Sequence, residues 1–235
     1  MNEVEIQRAY YGASAAAYDQ AHLTDTEPEH DMALDILSGL LIANGFKTVL
    51  DVGSGTGRGI QRLATLCPEI SVKGIEPVAE LRRVGHAKGI AESSLIEGDA
   101  TAIQFEDRSF DCVMALGVMH HIPNPRKAIS EMLRVSRRAV FVSDLNNFGC
   151  GSLSQRILSH TVRALGLWPA LQYVKNGFKS WKYSEGDGVH YSYSLFDDVP
   201  FLEAAGARCH VFTTRPSRRN AFWTCSHIAV LAFKK

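Results

Sequence analysis

Apolar residues recur along this chain with two periods. Short apolar or β-branched runs at "KTVLDV" (47–52), "SVKGIE" (71–76), "SSLIEG" (93–98), "FDCVMAL" (110–116) and "RAVFVSD" (138–144) are bounded by Gly, Asp or Pro and predict five strands of a buried sheet. Between them, 58–67, 77–88 and 124–136 follow helical spacing, and Ala128, Ile129, Met132, Leu133 and Val135 form one stripe of the last. A crossover helix between successive strands implies parallel pairing. Two helices, 3–20 and 29–43, are predicted ahead of the first strand as a cap or lid. A helix at 195–205 leads into "ARCHVFTT" and "HIAVLAFKK", which predict an antiparallel pair on the sheet edge. The chain thus divides into a helical cap (1–44), a ligand-binding core (45–145), an insertion (146–194) with an amphipathic stretch at 152–166, and a C-terminal helix and strand pair (195–235) completing the sheet. The insertion follows strand five and overhangs the carboxyl edge, where open α/β sheets bind ligands.

Composition narrows this picture. Lys plus Arg equal Asp plus Glu at 25 each, so no overall field recruits nucleic acid or an anionic membrane. The short basic clusters "RPSRRN" and "RVSRR" read as solvated surface in preference to an RNA-backbone site. The longest apolar stretches fall short of the roughly 20 residues a spanning helix needs. The N-terminus has no basic region feeding an apolar one, which argues against a signal peptide. A soluble, cytoplasmic protein is expected. Cys67, Cys112, Cys150, Cys209 and Cys225 are scattered, odd in number and never spaced C-x-x-C, so reduced thiols are expected in place of a disulfide framework or thiolate zinc site.

The segment "VLDVGSGTGRGI" carries the chemistry: a strand feeds a glycine-rich turn that opens a helix, directing backbone N–H groups at a ligand. Counted from Gly53, the sixth position is Arg58, and from Gly55 it is Ile60, so the dinucleotide pattern G-x-G-x-x-G fails. No Lys-Ser or Lys-Thr follows, which excludes a Walker A loop. Acids close three successive strands instead: Asp51, Glu76 and Asp99. A carboxylate at Glu76 can accept from both hydroxyls of a ribose, and one at Asp99 can hold an adenine amino group. Together they suit a nucleoside bearing a cationic appendage and would repel a polyphosphate. Read blandly, Glu76 with Pro77 only opens a helix and Asp99 only starts a turn.

"VLDVGSGTG", "GIEP" and "IEGDATAIQFEDRSFDCVMALGVMHHIPNPRKAISEMLRV" resemble, in order and spacing, the motifs of class I S-adenosylmethionine-dependent methyltransferases of the small-molecule branch that includes the ubiquinone and menaquinone methyltransferases. The resemblance covers about 45–145. It implies a Rossmann-like α/β fold: a seven-stranded, mostly parallel sheet of order 3-2-1-4-5-7-6 with strand seven antiparallel and helices on both faces. The implied cofactor is S-adenosyl-L-methionine, with S-adenosyl-L-homocysteine as product. The positions that match the family's cofactor contacts are Asp51, Gly53, Ser54 and Gly55 at the glycine turn, Glu76 and Pro77 at the ribose, Asp99 and Ala100 at adenine, and Leu116 and Gly117 near the methyl. "YYGASAAAYDQ" resembles the helix that closes over the cofactor in this branch, which makes Tyr11 and Tyr18 candidate contacts. The Pro-Gly-Gly turn that most relatives carry before strand five is absent.

His120 and His121 of "MHHIPNP" lie just beyond strand four, either as local packing groups or as a base and acceptor-orienting pair near the methyl. They are adjacent, and no E-x-x-E precedes them as in metal-using quinone O-methyltransferases, so no metal is expected. His160, Trp168, Tyr173, Trp181, Tyr183, His190, Tyr191 and Tyr193 make the insertion aromatic. They form either a pocket for a partly apolar or aromatic small-molecule acceptor or the insertion's own small core. Two other functions fit the motifs: methylation of RNA, which the charge balance argues against, and cofactor binding without catalysis in a partner subunit.

Overall fold

In the computed structural model, residues 1–22, 28–218 and 220–234 are described. Two helices, α1 (Glu3–His22) and α2 (Pro28–Ala43), precede the alternation β1 (Thr48–Val52), α3 (Arg58–Leu66), β2 (Ser71–Ile75), α4 (Ala79–Ala87), β3 (Leu95–Ile96), β4 (Phe110–Leu116), α5 (Pro125–Val135) and β5 (Ser136–Leu145). The insertion contributes α6 (Leu153–Ala164), α7 (Trp168–Lys175) and a hairpin of β6 (Trp181–Ser184) and β7 (Gly188–Tyr191). The chain ends with α8 (Val199–Ala204), β8 (Arg208–Thr213), a short α9 (Ala221–Thr224) and β9 (His227–Phe233).

The main sheet has the order β3-β2-β1-β4-β5-β9-β8, and β6–β7 form a separate two-stranded sheet. Pairing is parallel from β3 to β5, while β9 runs antiparallel to both β5 and β8. With β8 and β9 counted as the sixth and seventh strands of the sheet, this is the expected 3-2-1-4-5-7-6 arrangement of a Rossmann-like methyltransferase fold.

Alternation along the central strands assigns each residue to one of two cores. Leu50, Val113, Val140 and Val230 join Ile129 and Met132 of α5 and Leu202 of α8 on one face. Their neighbours Val49, Met114, Phe141 and Leu231 join Leu34, Leu37 and Leu41 of α2 and Leu63 of α3 on the other. Both faces are covered, which is why these strands read as unbroken apolar runs.

Three details differ from the sequence expectation. The third strand shrinks from six residues to Leu95–Ile96, because the Asp99 carboxylate accepts from the Thr101 N–H (2.8 Å) and turns the chain out of the sheet. The helix expected at 195–205 breaks into a 3-10 turn (Leu195–Asp197) and α8, whose second residue is Pro200, a position where a missing N–H costs nothing. The insertion, expected to hold one helix, also contains α7 and the β6–β7 hairpin. Among the described residues no helix is long and apolar enough to cross a membrane.

The cap is fastened at both ends of the site. Ala15 of α1 packs on Val78 and Leu81 at the start of α4, with Tyr11 and Tyr18 against the same cluster. On the other side, buried Gln7 accepts from the Val189 N–H and donates to the Asp187 carbonyl (3.2 Å), joining α1 to the hairpin.

Candidate functional site

The turn after β1 is latched to β2. The N–H groups of Gly53 and Ser54 both donate to the Ile75 carbonyl, at 2.9 and 3.1 Å. Gly53 has φ +73°, and a Cβ there would lie 2.6 Å from the Val118 side chain. Only glycine combines that left-handed backbone with so close an approach. Gly55 donates to Glu76 Oε2 (3.0 Å), and Val78 donates to Glu76 Oε1 (2.9 Å). Glu76 therefore braces the turn and the start of α4, and each oxygen keeps a second lone pair for a ligand.

Two adjoining cavities open around this turn and share Tyr11, Tyr18, Gly53, Leu116, Gly117 and His121. The first, about 350 Å³, also meets Gly55, Glu76, Pro77, Asp99, Ala100 and the apolar side chains of Val78, Leu81 and Ile122. The second, about 260 Å³, adds Asp51, Ser54 and His120, and is walled by Glu29, Asp144, Asp187 and His227. All fourteen residues singled out from the sequence thus line one cavity or the other.

The carboxylates of the two adjoining cavities, Glu76 and Asp99 in the first and Asp51 in the second, fit a nucleoside with a cationic group. Asp51 and Glu76 are 3% and 5% exposed. No cationic side chain among the described residues forms an ion pair with Asp51. Burial, opposed by the Ser54 hydroxyl and reinforced by the Glu76 charge, pushes the Asp51 carboxyl up to about 7. Burial likewise raises Glu76, against the pull of its two N–H donors. A buried carboxyl so short of positive charge is a ready counter-ion for an ammonium or sulfonium. Asp99 is differently placed: one oxygen accepts from Thr101 and the other pairs with Arg8 of α1 (2.7 Å). An adenine amino group would reach it only by competing with Arg8.

The second cavity is organised by two histidines on the 3-10 turn after β4. His120 Nδ1 lies 2.7 Å from Asp144 Oδ1, and Asp144 Oδ2 accepts the Met119 N–H at 2.8 Å. Its Nε2 lies 3.6 Å from Asp187. Burial alone would lower the pKa of His120, but the Asp144 carboxylate, helped by Asp187, raises it to about 10, so it is an imidazolium at neutral pH. The two carboxylates are drawn the other way: burial would raise them, yet the histidines hold both below the usual carboxylate range.

His121 Nδ1 lies 2.7 Å from the Val189 carbonyl and 3.0 Å from Gln7 Nε2; the shorter contact favours Nδ1–H donating to the carbonyl, which leaves the Nε2 lone pair for the Tyr11 hydroxyl. Nε2 is 3.0 Å from the Tyr11 hydroxyl and 3.4 Å from Asp187. Burial, with the charges of Tyr18 and Asp187, raises Tyr11 well above the ordinary phenol range, so it keeps its proton and donates to His121. One ligand atom each from His120, His121 and Asp187 lie within 4.8 Å of one another, a set that can share protons or hold a divalent cation.

Sequence reasoning missed Gln7, Arg8, Glu29, Asp144, Asp187 and His227. Asp144 had a signal, since it closes strand five as Asp51 closes strand one. Asp187 had none; it reaches the site because the β6–β7 turn folds back over His120 and His121. The insertion's aromatics do not line either cavity. His160 stacks on Trp223 (centroids 3.8 Å apart) and Phe148 packs on Trp168 (5.0 Å) in a small aromatic cluster, Tyr193 joins the core of the main sheet, and Tyr173 and Tyr183 are exposed. The basic loop is not a free cationic cluster either: Arg215 pairs with Glu29 (2.6 Å), and Arg219 lies outside the described residues.

A family described as "Methyltransferase domain" matches residues 50–142. The demethylmenaquinone methyltransferase of Roseiflexus castenholzii is 31% identical over 130 residues, covering 51% of this chain and 55% of that protein. The phosphatidylethanolamine N-methyltransferase of Cereibacter sphaeroides is 30% identical over 116 residues, covering 43% and 50%. The chain spans about half the length of these curated relatives. Among solved structures, the DhpI-SAM-HEP complex superposes with a TM-score of 0.65 at 18% identity, covering 98% of this chain and 97% of that one. The SAM-bound magnesium protoporphyrin IX methyltransferase of Synechocystis PCC 6803 gives 0.65 at 14% identity, covering 100% and 98%. These two likenesses establish the fold.

Proposed function

Because its cofactor half belongs to the class I S-adenosylmethionine-dependent methyltransferases, we propose that the chain transfers a methyl group from S-adenosylmethionine to a small-molecule acceptor. S-adenosylmethionine supplies a methyl group already activated on a sulfonium, which an incoming nucleophile displaces in line. The protein's work is then to align the two partners and to accept a proton. Glu76 holds the ribose with the lone pairs left over from Gly55 and Val78, and Asp51 faces the cationic methionyl part. Tyr11 and Tyr18 close over the cavity from α1.

The acceptor enters the second cavity, whose walls offer Glu29, Asp144 and Asp187 beyond Asp51, and the charged His120. His120, fixed between Asp144 and Asp187, orients a polar acceptor atom. His121 takes the proton on Nε2 in place of the Tyr11 hydroxyl hydrogen bond, and Asp187 stabilises the charge that results. The single observation that carries this reading is the junction of the two cavities at His121, with its Nδ1 held at the Val189 carbonyl.

The test is label transfer from methyl-labelled S-adenosylmethionine into fractionated cell extract. Label is expected in small molecules with the native protein and at least about a hundredfold slower with His121→Asn. Label recovered in RNA, or cofactor binding with no transfer to any fraction, would overturn the proposal in favour of an RNA enzyme or a non-catalytic subunit.

A further inference from the structure

Charge balance over the whole chain conceals one segment that is not balanced at all. Between Asp144 and Glu185 there is no acidic residue, while Arg156, Arg163, Lys175, Lys179 and Lys182 are basic. The same segment holds most of the protein's exposed large apolar side chains. At 3.6 residues per turn, Leu153, Ile157, Leu158 and Leu165 share an arc of about 140°, and each is at least half exposed. The inward side of α6 instead carries His160, buried against Phe148 and Trp223. On α7 and the residue before it, Leu167, Leu171 and Val174 repeat the pattern at i, i+4 and i+7, all exposed.

The stripe continues into a costly piece of backbone. Phe178 sits at φ +64°, a conformation that aromatic residues rarely adopt, and the residue is 69% exposed. Its N–H closes α7 on the Tyr173 carbonyl (2.8 Å), and its ring packs edge-on against Tyr173. Trp181 follows with Lys179 above its ring (4.4 Å). An apolar stripe with aromatics and lysines at its margin and no acid is the pattern of a helix lying in a lipid–water interface. A protein partner would leave the missing acids unexplained, and RNA would leave the bare leucines unexplained.

We propose that α6, α7 and the loop through Trp181 dock on an anionic lipid bilayer surface, with the apolar stripes in the headgroup boundary and Lys175, Lys179 and Lys182 at the phosphates. Arg163 is not part of this set, since it is held by Asp197 and the Phe148 and Phe222 rings. The docked segment runs directly into the hairpin that carries Asp187. The inference does not rest on methyl transfer, because lipid binding is read without cofactor or acceptor.

Flotation of the full chain with phosphatidylcholine vesicles, with and without phosphatidylglycerol, tests it. The native chain is expected to float with the anionic vesicles and to lose binding as salt rises. Leu171→Glu combined with Val174→Glu, and Lys175→Glu combined with Lys179→Glu, are each expected to weaken flotation by about tenfold or more. Arg208→Glu, an exposed residue at the start of β8 outside the docking segment, leaves it unchanged. As a readout needing no substitution, brominated lipid is expected to quench tryptophan fluorescence of the native chain. Native protein left unfloated by anionic vesicles, variants that float like it, or unquenched tryptophan would overturn the proposal. So would a vesicle-free dimer that the Leu171→Glu and Val174→Glu pair dissociates, which would make the stripe a contact between copies, or a tighter competing complex with RNA.

Discussion

The cofactor half and the insertion supply residues to one site by opposite means. Asp51, Glu76, Leu116 and Asp144 stand at or next to the ends of strands buried on both faces, and their positions follow from the register of the sheet. Asp187 stands on the turn of a two-stranded hairpin that is fastened through Gln7, Tyr10 and His121. The sheet therefore gives a rigid platform for a ligand common to the fold, while the hairpin gives one acid that depends on α1 being in place. Common chemistry is built into the register, and selectivity is hung on an attachment.

Substitutions separate the two. The largest effect is expected at the buried pair: Asp144→Ala strands the His120 charge and costs about 3–5 kcal/mol, read by chemical denaturation. The pH dependence of this pair follows from the two shifts. Because the pKa of His120 is raised, its contribution is complete below its unfolded value near 6.5 and is lost as pH rises through about 10. Asp144 is lowered, so its part is present above 3.8 and is lost as pH falls through its lower folded value. Denaturation midpoints of the native chain should therefore be highest between about pH 4 and 6.5 and fall progressively from there to about pH 10, with that fall much reduced in the Asp144→Ala variant.

Next comes His121→Asn, expected to slow turnover by about 10²–10⁴-fold while cofactor affinity stays within about twofold. Equal loss of both would erase the distinction between the shared turn and the acceptor side. Asp187→Asn should cost less, about tenfold in turnover, by removing the charge that supports protonated His121 but not the base itself. Asp51 gives a smaller, graded effect. With its carboxyl near 7, cofactor affinity should fall as pH drops from 8 to 6, by roughly tenfold. Titration calorimetry should show proton release on binding, and Asp51→Asn should flatten the profile. The smallest effect is expected from chelation: the His120, His121 and Asp187 set works through protons in this account, so dialysis against a chelator should leave turnover unchanged.

How far the site could be read in advance follows the same division. Short apolar runs alternating with helical segments were enough for the sheet, because strands buried on both faces read as unbroken apolar stretches, and acids break those runs where the edge begins. That logic reached Asp51 and Glu76, and it would have reached Asp144 had "FVSD" been weighed as "VLDV" was. It could not reach Asp187 or Gln7, whose pairing joins residues 180 positions apart across a hairpin with no alternating pattern. The insertion's aromatics invited a pocket, but composition cannot say whether rings face a ligand or one another. Here Phe148, His160, Trp168 and Trp223 face one another, and the remaining polar walls of the second cavity, Glu29, Asp144, Asp187 and His227, come from residues that looked unremarkable in sequence.

The central claim is that Glu76 grips the ribose while also bracing the glycine turn. Calorimetry with S-adenosylhomocysteine tests it on three proteins: native, Glu76→Gln and Glu76→Ala. The account expects binding by the native chain, a loss of about 1.5–3 kcal/mol in Glu76→Ala, and an intermediate loss in Glu76→Gln, which keeps one acceptor oxygen. Undiminished affinity in Glu76→Ala, with the variant folded, would contradict it.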